Sequence, residues 1–453
     1  RYGLNVLHFH LGDDEGWRLE LPALPELTAI GSRRGYATSD EVPFLKQIYS
    51  GNGKPDASTP ANGFYTADEF TDLLRYADSL GVAVIPEFDS PGHSRAAIMS
   101  MEHRFRTTGD ASLRLIEPGD TSNFTSAQAF HDNVMNPALE GPYKFWGIVL
   151  GELKALYARA GVELPAVHIG GDEVARGAWN GSPAARRLMA ESGMTDQKQL
   201  HAHFVERVAA LAAERGLKIA GWQEIALDHS QEYNQHVLPV MAAVNCWTNA
   251  GDKGSRIAAA GYPLILSNVD YLYFDQTPSS HPEEPGLVWG GLVDEFRPFH
   301  ATIDRLCPGN EDVQKHVAGI SAHLFAETIR SDAMVERYLF PRLLGLAERA
   351  HNVRPTISDS AYFGAITAEM DRWATEDVNF NLRQPGIRLG AEGKIEMNEA
   401  YGGRGEIRYT LDGTDPTSDS PLYTAPVSAA GAREVRARLF YGPARSVVSI
   451  LYL

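Results

Sequence analysis

"AVHIGGDE", residues 166–173, is an apolar stretch that ends in two glycines and two acids. Its β-branched and apolar residues predict a short, buried strand. Successive side chains on a strand point to opposite faces, so Asp172 and Glu173 would normally face apart. The paired glycines free the chain from the pleat, and we therefore expect both carboxylates to lie together at the strand end.

The same pattern recurs over the first 350 residues, where apolar runs end in polar or aromatic residues and alternate with helix-like stretches. The predicted strands are 4–11, 82–89, 166–173, 218–224, 239–247, 262–275 and 319–327. Such alternation indicates parallel strands joined by helical crossovers. Because the carboxyl ends of the strands build the active site of a (β/α)8 barrel, the polar strand ends predict a site at one mouth.

The predicted fold is an α/β (β/α)8 TIM barrel over residues 1–377, followed by a small C-terminal all-β sandwich over 378–453. A closed barrel needs eight strands, so we expect the first βα unit, with further N-terminal sequence, to precede Arg1. Loops over 38–63 and 99–138 are long enough to shape a cleft. For the sandwich, a structural role and carbohydrate binding both remain open.

Composition restricts the class of protein. The 453 residues carry a net charge of −17, which argues against nucleic acid or an anionic membrane as a partner. The sequence contains no apolar run near the 18 residues that a membrane span needs. Two cysteines, Cys246 and Cys307, exclude a disulfide-rich scaffold.

Aromatic residues near the strand ends suggest a sugar site, although large aromatics usually belong to the core. Trp222, Trp247 and Trp289 fall at strand ends or in the loops beyond them. Together they could wall a pocket for a pyranose ring. Tyr273 is placed to donate a hydrogen bond to an acetyl group, and Asp275 and Glu327 are placed to accept hydrogen bonds from sugar hydroxyls.

Several motifs in order resemble the family 20 glycoside hydrolases, which are β-N-acetylhexosaminidases. The resemblance rests on "HIGGDE" together with "LNVLHFHLGDDEGWRLEL", "GFYTADEFTDLLRYADSLGVAVIPEFDSPGHS", "GWQE" and "FPRLLGLAERA". The stretches "LIEPGDTSNFTSAQAF" and "RYTLDGTDPT" are most similar to the bacterial chitobiase branch. The resemblance covers almost the whole chain.

The resemblance implies a role for each matching residue. Glu173 matches the general acid, and Asp172 matches the residue that holds the 2-acetamido group of the substrate. In this family the acetamido oxygen attacks the anomeric carbon and forms an oxazolinium ion, so no protein nucleophile, metal or organic cofactor is expected. The remaining matches are Asp13 and His93 as a relay behind the acid, Tyr273 on the acetamido oxygen, Trp222, Trp247 and Trp289 as an aromatic wall, and Asp275 and Glu327 on sugar hydroxyls.

Two departures from the family pattern bear on the site. Phe325, in "HLFAE", stands where the family usually has a tryptophan. The arginine of the family's first strand has no counterpart in this sequence.

The two neighbouring acids are expected to influence one another. An ionised Asp172 is expected to raise the pKa of Glu173 and to keep that acid protonated.

The expected activity is exo-acting, retaining removal of β-linked GlcNAc or GalNAc from chitobiose, chito-oligosaccharides or glycans, in a periplasmic or extracellular location. Two alternatives remain. His8 and His10 could belong to a metal-dependent, amidohydrolase-type barrel. Phe325 and the unmatched arginine would also suit a catalytically inactive sugar-binding barrel.

Overall fold

The computed structural model describes residues 1–33, 62–248 and 252–453. The loop predicted over 38–63 therefore falls outside the described residues as far as residue 61. The described residues form two compact units, Arg1–Asn268 with Ile303–Ile320 and Val269–Thr302 with Ser321–Leu453. The predicted domain boundary after residue 377 stays a prediction.

The first unit is built on a mostly parallel sheet whose strands follow one another in chain order. Its strands in the described residues are β1 (Val6–Asp13), β2 (Gly16–Trp17), β3 (Ala83–Ser90), β4 (Val167–Gly170), β5 (Ile219–Trp222), β6 (Met241–Cys246), β7 (Leu264–Leu266) and β8 (Val317–Ile320). β2 is an antiparallel edge on β1, and each later strand pairs in parallel with the next. All predicted strands are present, although β7 and β8 are shorter than expected, so Tyr273, Asp275 and Glu327 lie beyond the strand ends.

Helices connect and cover these strands. The described helices are α1 (Glu26–Ala29), α2 (Ala67–Ser79), α3 (Arg95–Thr108), α4 (Gly141–Ala160), α5 (Pro183–Ser192), α6 (Gln197–Glu214), α7 (Gln231–Val237), α8 (Lys253–Ala259), α9 (Val269–Leu272), α10 (Phe296–Phe299), α11 (Ile303–Leu306), α12 (Glu311–Gln314), α13 (Asp332–Leu339), α14 (Arg342–His351) and α15 (Asp359–Thr375). None of the described helices is both long and apolar enough to cross a lipid bilayer.

Local sequence signals explain where the helices begin and end. α2 starts after Thr66, whose hydroxyl accepts from the Glu69 backbone N–H while the Glu69 carboxylate accepts from the Thr66 N–H, a reciprocal capping box. Phe70 and Leu74 form the buried face of this helix. α4 ends at Gly161 in the left-handed conformation that glycine adopts without strain.

The second unit combines α9, α10 and α13–α15 with antiparallel strands. These strands are β9 (Gly386–Leu389), β10 (Lys394–Asn398), β11 (Glu406–Thr410), β12 (Val427–Ser428), β13 (Glu434–Tyr441), β14 (Ala444–Arg445) and β15 (Ser449–Tyr452). β12, β10 and β9 form one sheet, and β11, β13, β14 and β15 form another. The predicted fold class, a barrel-like parallel α/β domain followed by an all-β region, is confirmed. That a further strand precedes Arg1 stays a prediction.

Candidate active site

The corner after β4 brings two neighbouring acids to one place. Gly170 and Gly171 both have positive φ angles, +76° and +97°, and Glu173 follows at +45°. A Cβ atom on Gly170 would lie 2.5 Å from the Asp89 carboxylate, and one on Gly171 would lie 2.4 Å from Ile225. Only glycine fits at both positions, because the backbone is left-handed and the surroundings are tightly packed. The chain thus leaves the strand pleat before Asp172, as expected.

His93 is the residue on which both acids converge. It lies in the loop after β3, is 5% exposed and has a φ of +50°. Its Nε2 atom lies 3.3 Å from the Glu173 carboxylate and 3.6 Å from that of Asp172. Its Nδ1 atom lies 3.2 Å from Asp13, and Asp14 is 3.5 Å away. The structure therefore brings together Asp13, His93, Asp172 and Glu173, which come from three separate segments of the sequence.

The pKa of Asp172 is raised and the pKa of Glu173 is lowered, which is the reverse of the expected order. Burial raises the pKa of Asp172 well above its ordinary value, and the charges of Glu224 and Glu173 act in the same direction against His93. Burial would also raise the pKa of Glu173, but the contacts from His93 and Gln128 outweigh it and lower this pKa. The expectation that Asp172 keeps its neighbour protonated is wrong for this arrangement, because Glu173 contacts the positively charged imidazole more closely.

Three residues around this group were not singled out from the sequence. The Gln128 side-chain amide donates to the Glu173 carboxylate over 3.2 Å. Asp14 is 1% exposed and accepts a hydrogen bond of 2.9 Å from the Asn133 amide. Glu87, in β3, is also 1% exposed. Gln128 carries no sequence signal beyond its place in the predicted cleft loop, whereas Glu87 could have been noticed as a charge inside an apolar strand.

Two of the three tryptophans of the predicted wall, Trp222 and Trp247, lie at the ends of β5 and β6. Trp222 is 2% exposed, and its ring centroid lies 5.1 Å from that of His168 in a T-shaped contact. Trp247 is half-buried, and its indole N–H donates to the Glu224 carboxylate over 3.3 Å. Their assignment to a sugar-binding wall stays a prediction.

The second unit brings together the other predicted site residues. The Tyr273 ring centroid lies 6.0 Å from that of Trp289 and 5.4 Å from that of Phe325. Trp289 is 57% exposed, which suits stacking on a ligand. Burial raises the pKa of Asp275 to about 7, with a contribution from the negative charge of Glu327. The roles of these residues stay predictions, and Phe325 supplies a ring to the cluster although it is not tryptophan.

The histidines of the metal-dependent alternative contact a carboxylate. His8, Glu87 and His168 bring ligand-type atoms within 4.8 Å of one another. However, the nitrogens of His8, His10 and His168 lie 3.0, 2.7 and 2.7 Å from Glu87 oxygens. Ligand atoms around a zinc ion would be about 3.3 Å apart. The observed spacing suits hydrogen bonds better than coordination.

Residues 1–353 match the catalytic domain of glycosyl hydrolase family 20. The chain belongs to this family. The predicted family is thereby confirmed, and residues 395–449 match a second family described as Fn3 associated.

Known family 20 proteins are similar to most of the chain. Beta-hexosaminidase B of Pseudoalteromonas piscicida is 36% identical over 380 residues, covering 77% of this chain and 48% of that protein. N,N'-diacetylchitobiase of Vibrio harveyi is 29% identical over 528 residues, covering 96% and 59%. The crystal structure of a GH20 exo β-N-acetylglucosaminidase from Vibrio harveyi matches with a TM-score of 0.70 at 32% identity, covering 84% and 54%. The chain thus spans about half the length of these family 20 relatives.

Proposed function

We propose that this family 20 protein is an exo-acting, retaining β-N-acetylhexosaminidase. The observation that carries the proposal is the placement of Asp172 and Glu173 side by side on His93. Most glycosidases that retain configuration hold two carboxyl groups about 5–5.5 Å apart across the sugar, whereas substrate-assisted enzymes need only one acid beside a residue that orients the acetamido group. Adjacent acids suit the second arrangement.

Asp172 has an oxygen suited to the acetamido group. Its Oδ1 atom is buried and makes no hydrogen bond with the described residues. An acetamido N–H that donates to this oxygen would satisfy it and would favour the ionised form of Asp172. As the acetamido oxygen attacks the anomeric carbon, the nitrogen becomes positive, and the Asp172 carboxylate stabilises that charge.

The ionisation of Asp172 also prepares Glu173 to act as the general acid. A negative charge that develops on Asp172 raises the pKa of its neighbour and opposes the effect of His93. Glu173 then donates its proton to the leaving oxygen while the oxazolinium ion forms. In the second step, Glu173 accepts a proton from the water that opens this ion, which returns the sugar with its configuration retained.

The substrate class follows from the chemistry of the nucleophile. Only a sugar with a 2-acetamido group carries the attacking oxygen, so we propose terminal β-linked GlcNAc or GalNAc of chitobiose, chito-oligosaccharides or glycans. The similarity to proteins called beta-hexosaminidase and chitobiase supports this choice. A periplasmic or extracellular location belongs to the same proposal, and fractionation of the source cells tests it.

The decisive experiment compares p-nitrophenyl N-acetyl-β-glucosaminide with the matched β-glucoside, which lacks the acetamido group. We expect sustained release of p-nitrophenol from the first substrate only. Hydrolysis of both at similar rates would contradict the substrate-assisted route. Activity that a chelator abolishes and zinc restores would favour the metal-dependent alternative, and binding without turnover would favour an inactive sugar-binding barrel.

The variant Glu173→Gln tests the assignment of the acid. A nitrophenolate leaves without protonation, so kcat on the nitrophenyl substrate should fall much less than kcat on chitobiose. We expect about a 10²–10⁴-fold loss on chitobiose. An equal loss on both substrates would remove Glu173 from the role of general acid.

A further inference from the structure

A line of alternating carboxylates and imidazoles continues behind the predicted relay. The His10 Nε2–H group donates to Asp13 over 2.9 Å, and the His10 Nδ1–H group donates to Glu87 over 2.7 Å. Asp13 in turn contacts His93 at 3.2 Å, and His93 contacts Glu173. The order along this line is therefore Glu87, His10, Asp13, His93 and Glu173.

The geometry of His10 indicates its protonation state, because the pKa values of Asp13 and Glu87 are both lowered by the neighbouring histidines and neither carboxyl group holds the proton. Both ring nitrogens face carboxylate oxygens at hydrogen-bond distance, and a neutral imidazole has only one N–H to offer. A neutral ring would direct a nitrogen lone pair at a carboxylate oxygen less than 3 Å away. His10 is therefore an imidazolium held between Asp13 and Glu87, and its charge lies directly against the Asp13 carboxylate.

Glu87 also connects the strands that carry the catalytic candidates. Its side chain is 1% exposed and lies on β3, which leads into the loop of His93. It contacts His8 and His10 on β1, the strand that ends at Asp13. It contacts His168 on β4, four residues before Asp172, over 2.7 Å. One buried carboxylate thus joins the three segments on which the site is built.

We propose that Glu87 and His10 are positioning residues for the contact between Asp13 and His93. They hold the Asp13 carboxylate in place and supply the positive charge of His10 that lies against it. The kinetic part of this proposal rests on the proposed function. Glu87 holds His10 in the imidazolium form, and His10 fixes one oxygen of Asp13 so that the other faces His93. Neither residue touches the reacting atoms in this scheme.

The groups that face His10 give the sign of the expected effects. They are Glu87 and Asp89 on β3, His8 and Asp13 on its own strand, and His168 on β4. Burial lowers the pKa of His10, but the charges of Glu87 and Asp89 raise it well above its ordinary value. Burial lowers the pKa of His168 to about 4, so His168 faces Glu87 as a neutral ring. Removal of the Glu87 charge therefore lowers the pKa of His10.

Histidine NMR titration of the whole protein tests the protonation state without any assay of activity. We expect both His10 nitrogens to carry protons at pH 7.5 in the parent protein. In Glu87→Gln, the pKa of His10 should fall by about one unit or more. Glu102→Gln is the matched control, because Glu102 is also largely buried and binds Arg114 away from this line. A neutral His10 in the parent, or an equal shift in both variants, would overturn the proposal.

His10→Gln provides the kinetic test, and it also serves if Glu87→Gln does not fold. Glutamine keeps a donor toward Asp13 but removes the positive charge, so the pKa values of Asp13, His93 and Glu173 should all rise. The pH profile of kcat/KM should move to higher pH by about half a unit to one unit, and that of Glu102→Gln should not move. A uniform loss of activity at every pH would contradict the positioning role. A parent protein without hexosaminidase activity would refute the proposed function while the NMR test of His10 still stands.

Discussion

At the scale of single residues, burial and the distance to His93 together decide the pKa values of the two acids. Asp172 is more enclosed than Glu173, with side chains 15% and 28% exposed, and the two differ in how closely they approach His93. That Asp172, Glu173 and His93 lie close together could be predicted, because the carboxyl ends of parallel strands meet at the same end of a barrel. Their pKa order could not, because it depends on differences of a few tenths of an ångström in distances to one imidazole.

The substitution Asp172→Asn should separate activity from stability. Because burial raises the pKa of Asp172, ionisation at neutral pH costs the folded protein free energy, and the uncharged Asn avoids this cost. We expect kcat/KM to fall about 10²–10³-fold, as when one transition-state hydrogen bond is lost. The thermal midpoint at pH 7.5 should equal or exceed that of the parent. A fall in activity that tracks a loss of folded protein would contradict this account.

A second residue-scale prediction concerns Asp275. Burial raises its pKa from the ordinary value of an aspartate to about 7 in the folded protein. Because the folded value is the higher one, the free energy of unfolding decreases as the pH rises from about 4 to 7. Asp275→Asn removes this loss, so its stability relative to the parent should increase over that range by about 2–4 kcal/mol.

Urea unfolding at pH 4, 6 and 8 measures the effect of Asp275→Asn. The control is Asp78→Asn at an exposed side chain, which separates the loss of a buried carboxyl group from the loss of a surface charge. A constant difference for Asp275→Asn would show that the carboxyl group does not change its pKa on folding.

At the scale of elements, the corner after β4 depends on glycine. Gly171→Ala would place a methyl group 2.4 Å from the buried Ile225 side chain and force alanine to a φ of +97°. Backbone strain and overpacking together should cost about 2–4 kcal/mol of stability. Gly161→Ala at the end of α4 is the matched control, because its φ is +76° but its Cβ would meet nothing within 4 Å.

The two glycine variants are compared by denaturant unfolding, which measures their stability. Activity is assayed at a temperature where both variants are folded. We expect Gly161→Ala to lose only about 1 kcal/mol and to retain activity. Equal losses in the two variants would mean that backbone conformation alone, and not the contact with Ile225, requires glycine at the corner.

The elements themselves show what a single sequence can and cannot predict. The strand runs follow from local patterns and were predicted, and the capping box at Thr66 corresponds to the local pattern Thr-x-x-Glu. The short β7 and β8 were not, because an apolar run does not reveal where pairing with a neighbouring strand ends. Glu87 was missed for a related reason, since its partners lie on strands that are distant in the sequence.

At the scale of the whole molecule, the C-terminal β region is tied to the helices of its own unit. Phe380 is fully buried, and its ring centroid lies 5.6 Å from that of Trp373 in α15. Arg383 forms an ion pair of 2.6 Å with Glu295, and His281 donates to the Val448 carbonyl over 2.9 Å. These contacts favour the structural role that the sequence analysis left open beside carbohydrate binding.

Deletion of residues 378–453 should therefore destabilise the protein. The deletion uncovers Trp373, which is 1% exposed, and leaves Glu295 without its arginine. We expect the shortened protein to be insoluble or to unfold at least 10 °C lower, roughly the effect of losing a few kcal/mol. A carbohydrate-binding role would instead leave a folded enzyme that hydrolyses soluble substrates normally and no longer binds chitin.

The imidazolium of His10 also bears on how readily a metal ion could bind this ring. Copper or zinc binds a histidine through a nitrogen lone pair, and here both nitrogens already hold protons that point at carboxylates. Capture of this ring therefore releases a proton, so the apparent affinity of such an ion must weaken as the solution becomes more acidic. Asp13 and Glu87 would attract a metal cation, but at low pH they also hinder its binding to His10, because they keep the ring protonated.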